Sequence, residues 1–256
     1  MQIHLKNISK SLQGQPILQD ISLSLSSGEA LAIIGPNGSG KSTLLRIMAG
    51  LIPSDSGHVM IDDKPVNSIS TRATAQILGF LSQETSTTEA ICVHEVVKLG
   101  RTPWLSFATP FRKRDQQIVA QAMMTMKITS LAHKRYNRLS GGEKQRVQIA
   151  RLLAQTPQIF LLDEPANHLD IHHQMTILNW VKNQKSTMAL ALHDLNHAFM
   201  CDKVAVMRNG TLAAFGTADE ILVPDIIDPI FQVRTKRIVS DGLAYPILHF
   251  CDADSS

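Results

Sequence analysis

The sequence predicts an α/β fold with a parallel sheet at its core, an antiparallel β subdomain and an inserted α-helical subdomain. Three observations carry that expectation. Four short apolar runs, at 30–34, 77–81, 159–162 and 188–192, each lead into a polar residue, the pattern of strands buried on both faces of a parallel sheet. Residues 1–25 instead alternate, with Ile3, Leu5, Ile17, Ile21, Leu23 and Leu25 on the apolar phase, as antiparallel strands with one buried face do. From 89 to 156 strand-like runs give way to helical spacing, as at Ile118, Val119, Ala122, Met123 and Met126.

Composition narrows the function classes. The chain has 256 residues, 44% hydrophobic and 18% charged, enough to bury a large core and unlike a disordered or fibrous chain. A net charge of +3 is too small to argue for a nucleic-acid partner. The apolar stretches stop short of the ~20 residues that a membrane-spanning helix needs. The start, Met1-Gln2-Ile3-His4-Leu5-Lys6, lacks a signal-peptide layout, so a soluble, cytoplasmic chain is expected. Cys92, Cys201 and Cys251 are isolated and odd in number, and read as reduced thiols.

The elements follow in order. After the alternating strands and the run at 30–34 come Gly35, Pro36, Asn37, Gly38, Ser39, Gly40, Lys41, Ser42 and Thr43, a glycine-rich loop closing on Lys-Ser and opening a helix. Such a loop turns successive backbone N–H groups toward an anion, brings a lysine to the outer phosphates of a nucleotide and offers a hydroxyl to Mg²⁺. A further strand is expected at 57–64, and the run at 77–81 leads to Gln83. Leu139-Ser140-Gly141-Gly142-Glu143 is a second glycine loop before a helical stretch, again a place where an anion meets a helix N-terminus. The run at 159–162 ends in Asp163 and Glu164, carboxylates placed to hold Mg²⁺ through water and to activate an attacking water. The run at 188–192 ends in His193. Because ligands of open α/β sheets collect beyond the carboxyl ends of the strands, these four endings converge on one edge. Asn209-Gly210, flanked by apolar residues, suits a tight hairpin turn. The residues from 217 on read as a short extension with little chemistry.

Taken together these motifs resemble the ATP-binding-cassette ATPases, over about residues 1–220: the phosphate loop at 35–43, Gln83, the signature at 139–143 followed by Gln145 and Arg146, the Asp163–Glu164 pair, the Asn167-His168-Leu169-Asp170 loop and a switch histidine at 193. The resemblance implies a P-loop NTPase (RecA-like) core. Residues 1–88 would form its N-terminal part with the antiparallel β subdomain, 89–156 the helical subdomain, 157–220 the C-terminal part, and 221–256 an extension. It further implies ATP and Mg²⁺ as ligands, with Ser42, Gln83 and Asp163 at the metal. Two chains would pack head to tail, so that Ser140, Gly141 and Gly142 of one meet the γ-phosphate held by the other, while Asp170 communicates between subunits. Glu164 would act on water, His193 would hold the γ-phosphate and the water, and Gln83 would also report to the helical subdomain. Where the family stacks adenine on an aromatic residue, this sequence has Leu12. An aliphatic contact there implies ATP affinity weaker by roughly 2- to 10-fold.

Gly100-Arg101-Thr102-Pro103-Trp104-Leu105, and the string from His193 to Ala198, narrow the resemblance to the ATPase subunits of importers for iron-siderophore, haem and vitamin B12. The implied partners are a second copy, two transmembrane permease subunits and an extracytoplasmic substrate-binding protein. The implied location is peripheral, on the cytoplasmic face of the bacterial inner membrane. Arg101 and Trp104 would either face the permease or pack in a loop. Met123, Met124 and Met126 would either form a docking surface or fill the core. Histidines 168, 172, 173, 193 and 197 with Asp194 have spacings that could ligate a metal, but His193 is taken by the switch role and no such site is expected. A non-transport cassette ATPase acting on ribosomes or DNA is the rival reading, and the paired cassettes, long coiled coils and basic patches usual in those proteins are missing from this sequence.

Overall fold

The alternating N-terminal residues pair as an antiparallel hairpin of β1 (Ile3–Leu12) and β2 (Gln15–Leu25). Gln13 and Gly14 join them, both at positive φ, the two-residue turn whose twist matches that of its strands. The computed structural model describes residues 1–82, 91–167, 169–240 and 245–251. It divides into two units, Met1–Ser68 with Lys185–Ser256, and Ile69–Gln184.

In the first unit β3 (Ala30–Ile34), α1 (Lys41–Met48), β4 (Ser56–Ile61) and the short β5 (Lys64–Pro65) follow the hairpin. β4 pairs antiparallel with β1, giving a sheet of order β2-β1-β4-β5 in which Ile3, Ile8, Ile21 and Leu25 are fully buried; Leu18 is buried where Ile17 was expected, because the β1–β2 register shifts between Ile21 and Leu18. β3 is buried from Leu31 to Ile34, which is why its sequence is continuously apolar.

The second unit begins with α2 (Thr71–Ile77) and β6 (Leu78–Leu81), so Ile77 closes a helix rather than opening the strand expected at 77–81. Next come α3 (Val93–Lys98), α4 (Lys113–Thr125), α5 (Gly141–Gln155), β7 (Ile159–Asp163) and α6 (Ile171–Lys182). β6 and β7 pair in parallel, Leu78 opposite Ile159 through Leu81 opposite Leu162. α5 packs on both α3 and α4 through a face that includes Val147, Ala150 and Ala154. Arg101 lies in the 3₁₀ turn Leu99–Trp104 and is only 6% exposed. It donates to Asp115 Oδ1 at 2.8 Å and to the Ala154 carbonyl at 2.9 Å, and lies 5.3 Å over the Trp104 ring. Trp104 itself donates to the Gln155 carbonyl. Of the two readings of this pair, Arg101 is therefore a packing residue. Met123 and Met126 are core and Met124 is exposed.

The chain then returns to the first unit with β8 (Thr187–Ala191), β9 (Lys203–Arg208), β10 (Thr211–Thr217), α7 (Ala218–Ile221), α8 (Pro224–Phe231), β11 (Arg234–Ile238) and β12 (Ile247–Cys251). β3 lies between β8 and β9 and is parallel to both. Asn209 and Gly210 turn β9 into β10, both at positive φ. β11 and β12 form a separate two-stranded hairpin. Among the described residues no helix is long and apolar enough to cross a membrane.

Candidate nucleotide-binding site

The phosphate loop leaves β3 at its carboxyl end. Gly35 has φ 153, and a Cβ there would stand 2.2 Å from the Met207 carbonyl oxygen and 2.8 Å from Ser39 Oγ, so glycine is required. Gly40, the residue before α1, sits at φ 101, and a Cβ would meet Leu18 Cδ2 at 2.6 Å. At Gly38, by contrast, a Cβ would meet nothing within 4 Å, so the loop's outer turn borders open space. Lys41 is 6% exposed and its Nζ donates to the Gly35 carbonyl at 2.7 Å and to the Pro36 carbonyl at 3.2 Å. The ammonium is thereby held over the loop at the positive end of α1. Ser39 Oγ is buried and has no hydrogen-bond partner among the described residues. Ser42 and Thr43 are half-buried in the first turn of α1. Backbone N–H groups, a helix N-terminus, a held lysine and open space fit a nucleotide's phosphates.

In the same unit Leu12 ends β1 at 47% exposed, beside the hairpin turn. His193 is exposed, two residues past β8. A cavity of about 610 Å³ is lined by loop residues 35–37, by His193, and by Phe231, Val233 and Phe250 from the C-terminal elements. The extension after 217 thus carries part of the wall beside the loop and His193. Sequence reasoning missed this, although Phe231, Val233 and Phe250 are apolar positions in that segment.

The second unit holds the carboxylates and the signature. Asp163 is fully buried at the end of β7, and Glu164 follows at φ 50, a left-handed backbone unusual for a branched-free acid and one that turns the chain sharply after the strand. Glu164 Oε2 accepts from Asn167 Nδ2 at 2.6 Å. Ser140 caps α5 in a reciprocal box: its Oγ accepts from the Glu143 N–H, and its own N–H donates to Glu143 Oε2 at 2.8 Å. That backbone N–H holds the Glu143 carboxyl below its ordinary range. Gly141 is exposed, and a Cβ there would meet nothing within 4 Å. Gly142 abuts His173, whose Nδ1 lies 2.6 Å from Asp170 Oδ2. Asp170 caps α6 by accepting from the His173 N–H, which with the His173 ring lowers its carboxyl pKa. Gln145 Nε2 donates to the Pro165 carbonyl at 2.9 Å, tying the signature helix to the turn after Glu164. The structure thus connects Ser140–Gly142, Asp170 and the Glu164 turn through His173, Asn167 and Gln145, three links that the motifs did not announce. Gln83 and His168 lie outside the described residues.

A family model described as ABC transporter matches residues 18–167, more than half of the chain. The chain belongs to the ABC transporter family. Among curated relatives this cassette is similar to the Hemin import ATP-binding protein HmuV of Thermobifida fusca (strain YX), 36% identical over 95% of this chain and 86% of that protein. It is 36% identical to the Iron(3+)-hydroxamate import ATP-binding protein FhuC of Bacillus subtilis (strain 168), over 90% of this chain and 88% of the relative. It is 37% identical to the Ferric enterobactin transport ATP-binding protein FepC of Escherichia coli (strain K12), over 89% and 86%. A solved metal-chelate type ABC transporter in an inward-facing conformation superposes with TM-score 0.82 at 25% identity, covering 97% of this cassette and 96% of that chain. A dimeric cassette in a post-hydrolysis state bound to ADP and phosphate superposes with TM-score 0.77 at 27% identity, covering 84% and 98%. The cassette has the P-loop ATPase fold of these neighbours and is an ATP-using enzyme of their type.

Proposed function

We propose that the chain is the ATP-hydrolysing subunit of an importer for iron-siderophore, haem or cobalamin cargo, bound peripherally at the cytoplasmic face of a bacterial inner membrane. It works there as a homodimer with two transmembrane permease subunits and an extracytoplasmic binding protein. What supports the reading above all is the Lys41 ammonium held over the Gly35–Pro36 carbonyls at the start of α1, in a chain that resembles iron-chelate and haem import ATP-binding proteins over most of its length.

In this reading the backbone N–H groups of residues 38–43 and Lys41 hold the β- and γ-phosphates of ATP. Leu12 gives adenine an aliphatic contact. Ser42 offers a hydroxyl to Mg²⁺, Asp163 a carboxylate through water, and Gln83 a carboxamide. When bound, the ion neutralises charge on the β- and γ-oxygens. Glu164 orients the attacking water and takes its proton, and His193 holds the γ-phosphate and that water. Ser140, Gly141 and Gly142 of the second copy complete the γ-phosphate site, and Asp170 links the copies. Ser140 stands at the N-terminus of α5, the positive end of a helix, which suits it to meet an anion.

Glu164→Gln tests the central role. It keeps the side chain's shape, so nucleotide affinity should hold while turnover falls by roughly 10²- to 10⁴-fold, the range for loss of a general base. Lys41→Ala should instead remove Mg-ATP binding, read by calorimetry. Normal turnover of Glu164→Gln would remove Glu164 as the base, and unchanged affinity of Lys41→Ala would remove the phosphate-loop assignment.

A further inference from the structure

One side chain joins the switch segment to the C-terminal hairpin. Asn196, in the 3₁₀ turn Leu195–Met200, donates from Nδ2 to the Leu248 carbonyl at 3.2 Å, and its Oδ1 accepts from the Leu248 N–H at 2.7 Å. A carboxamide that exchanges both bonds with one residue's backbone stands in for a neighbouring strand. Leu248 faces Arg237 across β11–β12 with both of its backbone groups turned outward to Asn196, so the side chain closes that edge of β12. Leu248 is 1% exposed and Asn196 is half-buried, so the bonds are shielded from water and costly to leave unmade. On its other side the Asn196 N–H donates to Asp194 Oδ1 at 2.9 Å. His193 is therefore followed by a continuous hydrogen-bonded path into β12. The cavity supports the same connection independently, because His193 and the loop residues 35–37 share it with Phe231, Val233 and Phe250.

We propose that Asn196 is a positioning residue for ATP hydrolysis: by clamping the switch turn to β12 it fixes the place of His193, and the segment from α8 to β12 becomes a determinant of turnover. The proposal rests on the reading of His193 as the group that holds the γ-phosphate and the water. Asn196 touches no reacting atom, so its effect passes through His193 and belongs in kcat. His193 is exposed and two residues past its strand, on the turn that the Asn196 clamp holds to β12. Misplacing a catalytic group by about 1 Å costs on the order of 10²-fold in rate.

The test uses the full-length chain and steady-state ATP hydrolysis, with circular dichroism and thermal melting as the folding check. Asn196→Ala is expected to lower kcat by roughly 10- to 100-fold while KM for Mg-ATP stays within about two-fold. Leu248→Pro removes the N–H at the far end of the clamp and should give the same split, and the double variant should be no worse than the more severe single. If Leu248→Pro does not fold, Asn196→Ala in a His193→Ala background replaces it and should add no further loss. His249→Ala, on the same strand with an exposed side chain, should turn over as the parent does. Wild-type kcat in Asn196→Ala while His193→Ala is slow overturns the clamp alone. A loss shared by KM and kcat, or additive losses, overturns it too. Wild-type turnover of His193→Ala overturns the switch assignment itself.

Discussion

At the scale of single residues, the backbone angle at Gly35 and the donations of Lys41 Nζ to the Gly35 and Pro36 carbonyls shape the phosphate loop, and the Arg101–Asp115 pair ties a 3₁₀ turn to α4. Gly35 and Lys41 follow from the loop pattern because the backbone angle and the ammonium's reach leave little choice. Arg101 did not follow, because an arginine beside a tryptophan reads the same whether it faces a partner or a core, and its carboxylate, Asp115, comes from another helix. The buried pair yields a prediction. Arg101→Ala leaves the Asp115 carboxylate without its cation in a largely dry site, and should destabilise the fold by about 3 kcal/mol in denaturant titrations at neutral pH. Burial pushes the Asp115 carboxyl upward, but the Arg112 N–H and the Arg101 guanidinium outweigh it and hold the group below its ordinary 3.8. A depressed folded value means that this stability is present above 3.8 and is lost as pH falls through the folded pKa. The gap between parent and Arg101→Ala should therefore be widest near neutrality and should shrink in acid. A gap that widens below pH 4 would show that some other group carries the effect.

At the scale of elements, strands buried on both faces announced themselves. β3, β7 and β8 match their apolar runs to within a residue at either end, and Asn209–Gly210 turns where its dipeptide demands. Ile77 was misassigned because an apolar residue closing one helical turn before a strand extends the strand's pattern without a break. The β11–β12 hairpin was illegible for a different reason: β11 carries charges on both of its phases, as Arg234, Lys236 and Arg237, and the side chain that bonds the Leu248 backbone, Asn196, is far away in sequence. The capping of α5 was legible as Ser140 followed by Glu143, and there structure and proposed function meet in one side chain. They can be separated. Ser140→Ala removes the cap and should cost about 1 kcal/mol of stability. Ser140→Asp keeps a good capping acceptor, so stability should stay within about 0.5 kcal/mol of the parent, yet it sets a carboxylate where a γ-phosphate is proposed to dock. Its ATPase rate should collapse while its melting curve does not. Parent-like turnover of Ser140→Asp would argue that Ser140 is a cap and nothing more.

At the scale of the whole molecule, the order of motifs along the chain carried more information than any one of them. The phosphate loop lies in the first unit and the signature in the second, so the chain carries two helix starts suited to an anion, one of each kind. If each catalytic site takes its loop from one copy and its signature from the other, two different defects should complement. Lys41→Ala disables the loop and leaves the signature. Gly141→Asp disables the signature and leaves the loop, and its side chain enters open space, since a Cβ at Gly141 meets nothing within 4 Å, so the fold is unstrained. Each variant alone should be inactive. In an equal mixture about half of the dimers are mixed, and each of these has one intact site of two, so activity should recover to roughly a quarter of the parent's. Sites built within single chains would give no recovery at any mixing ratio, because no chain in the mixture carries both an intact loop and an intact signature. Recovery that grows with protein concentration and with Mg-ATP would further tie the active species to a nucleotide-driven dimer.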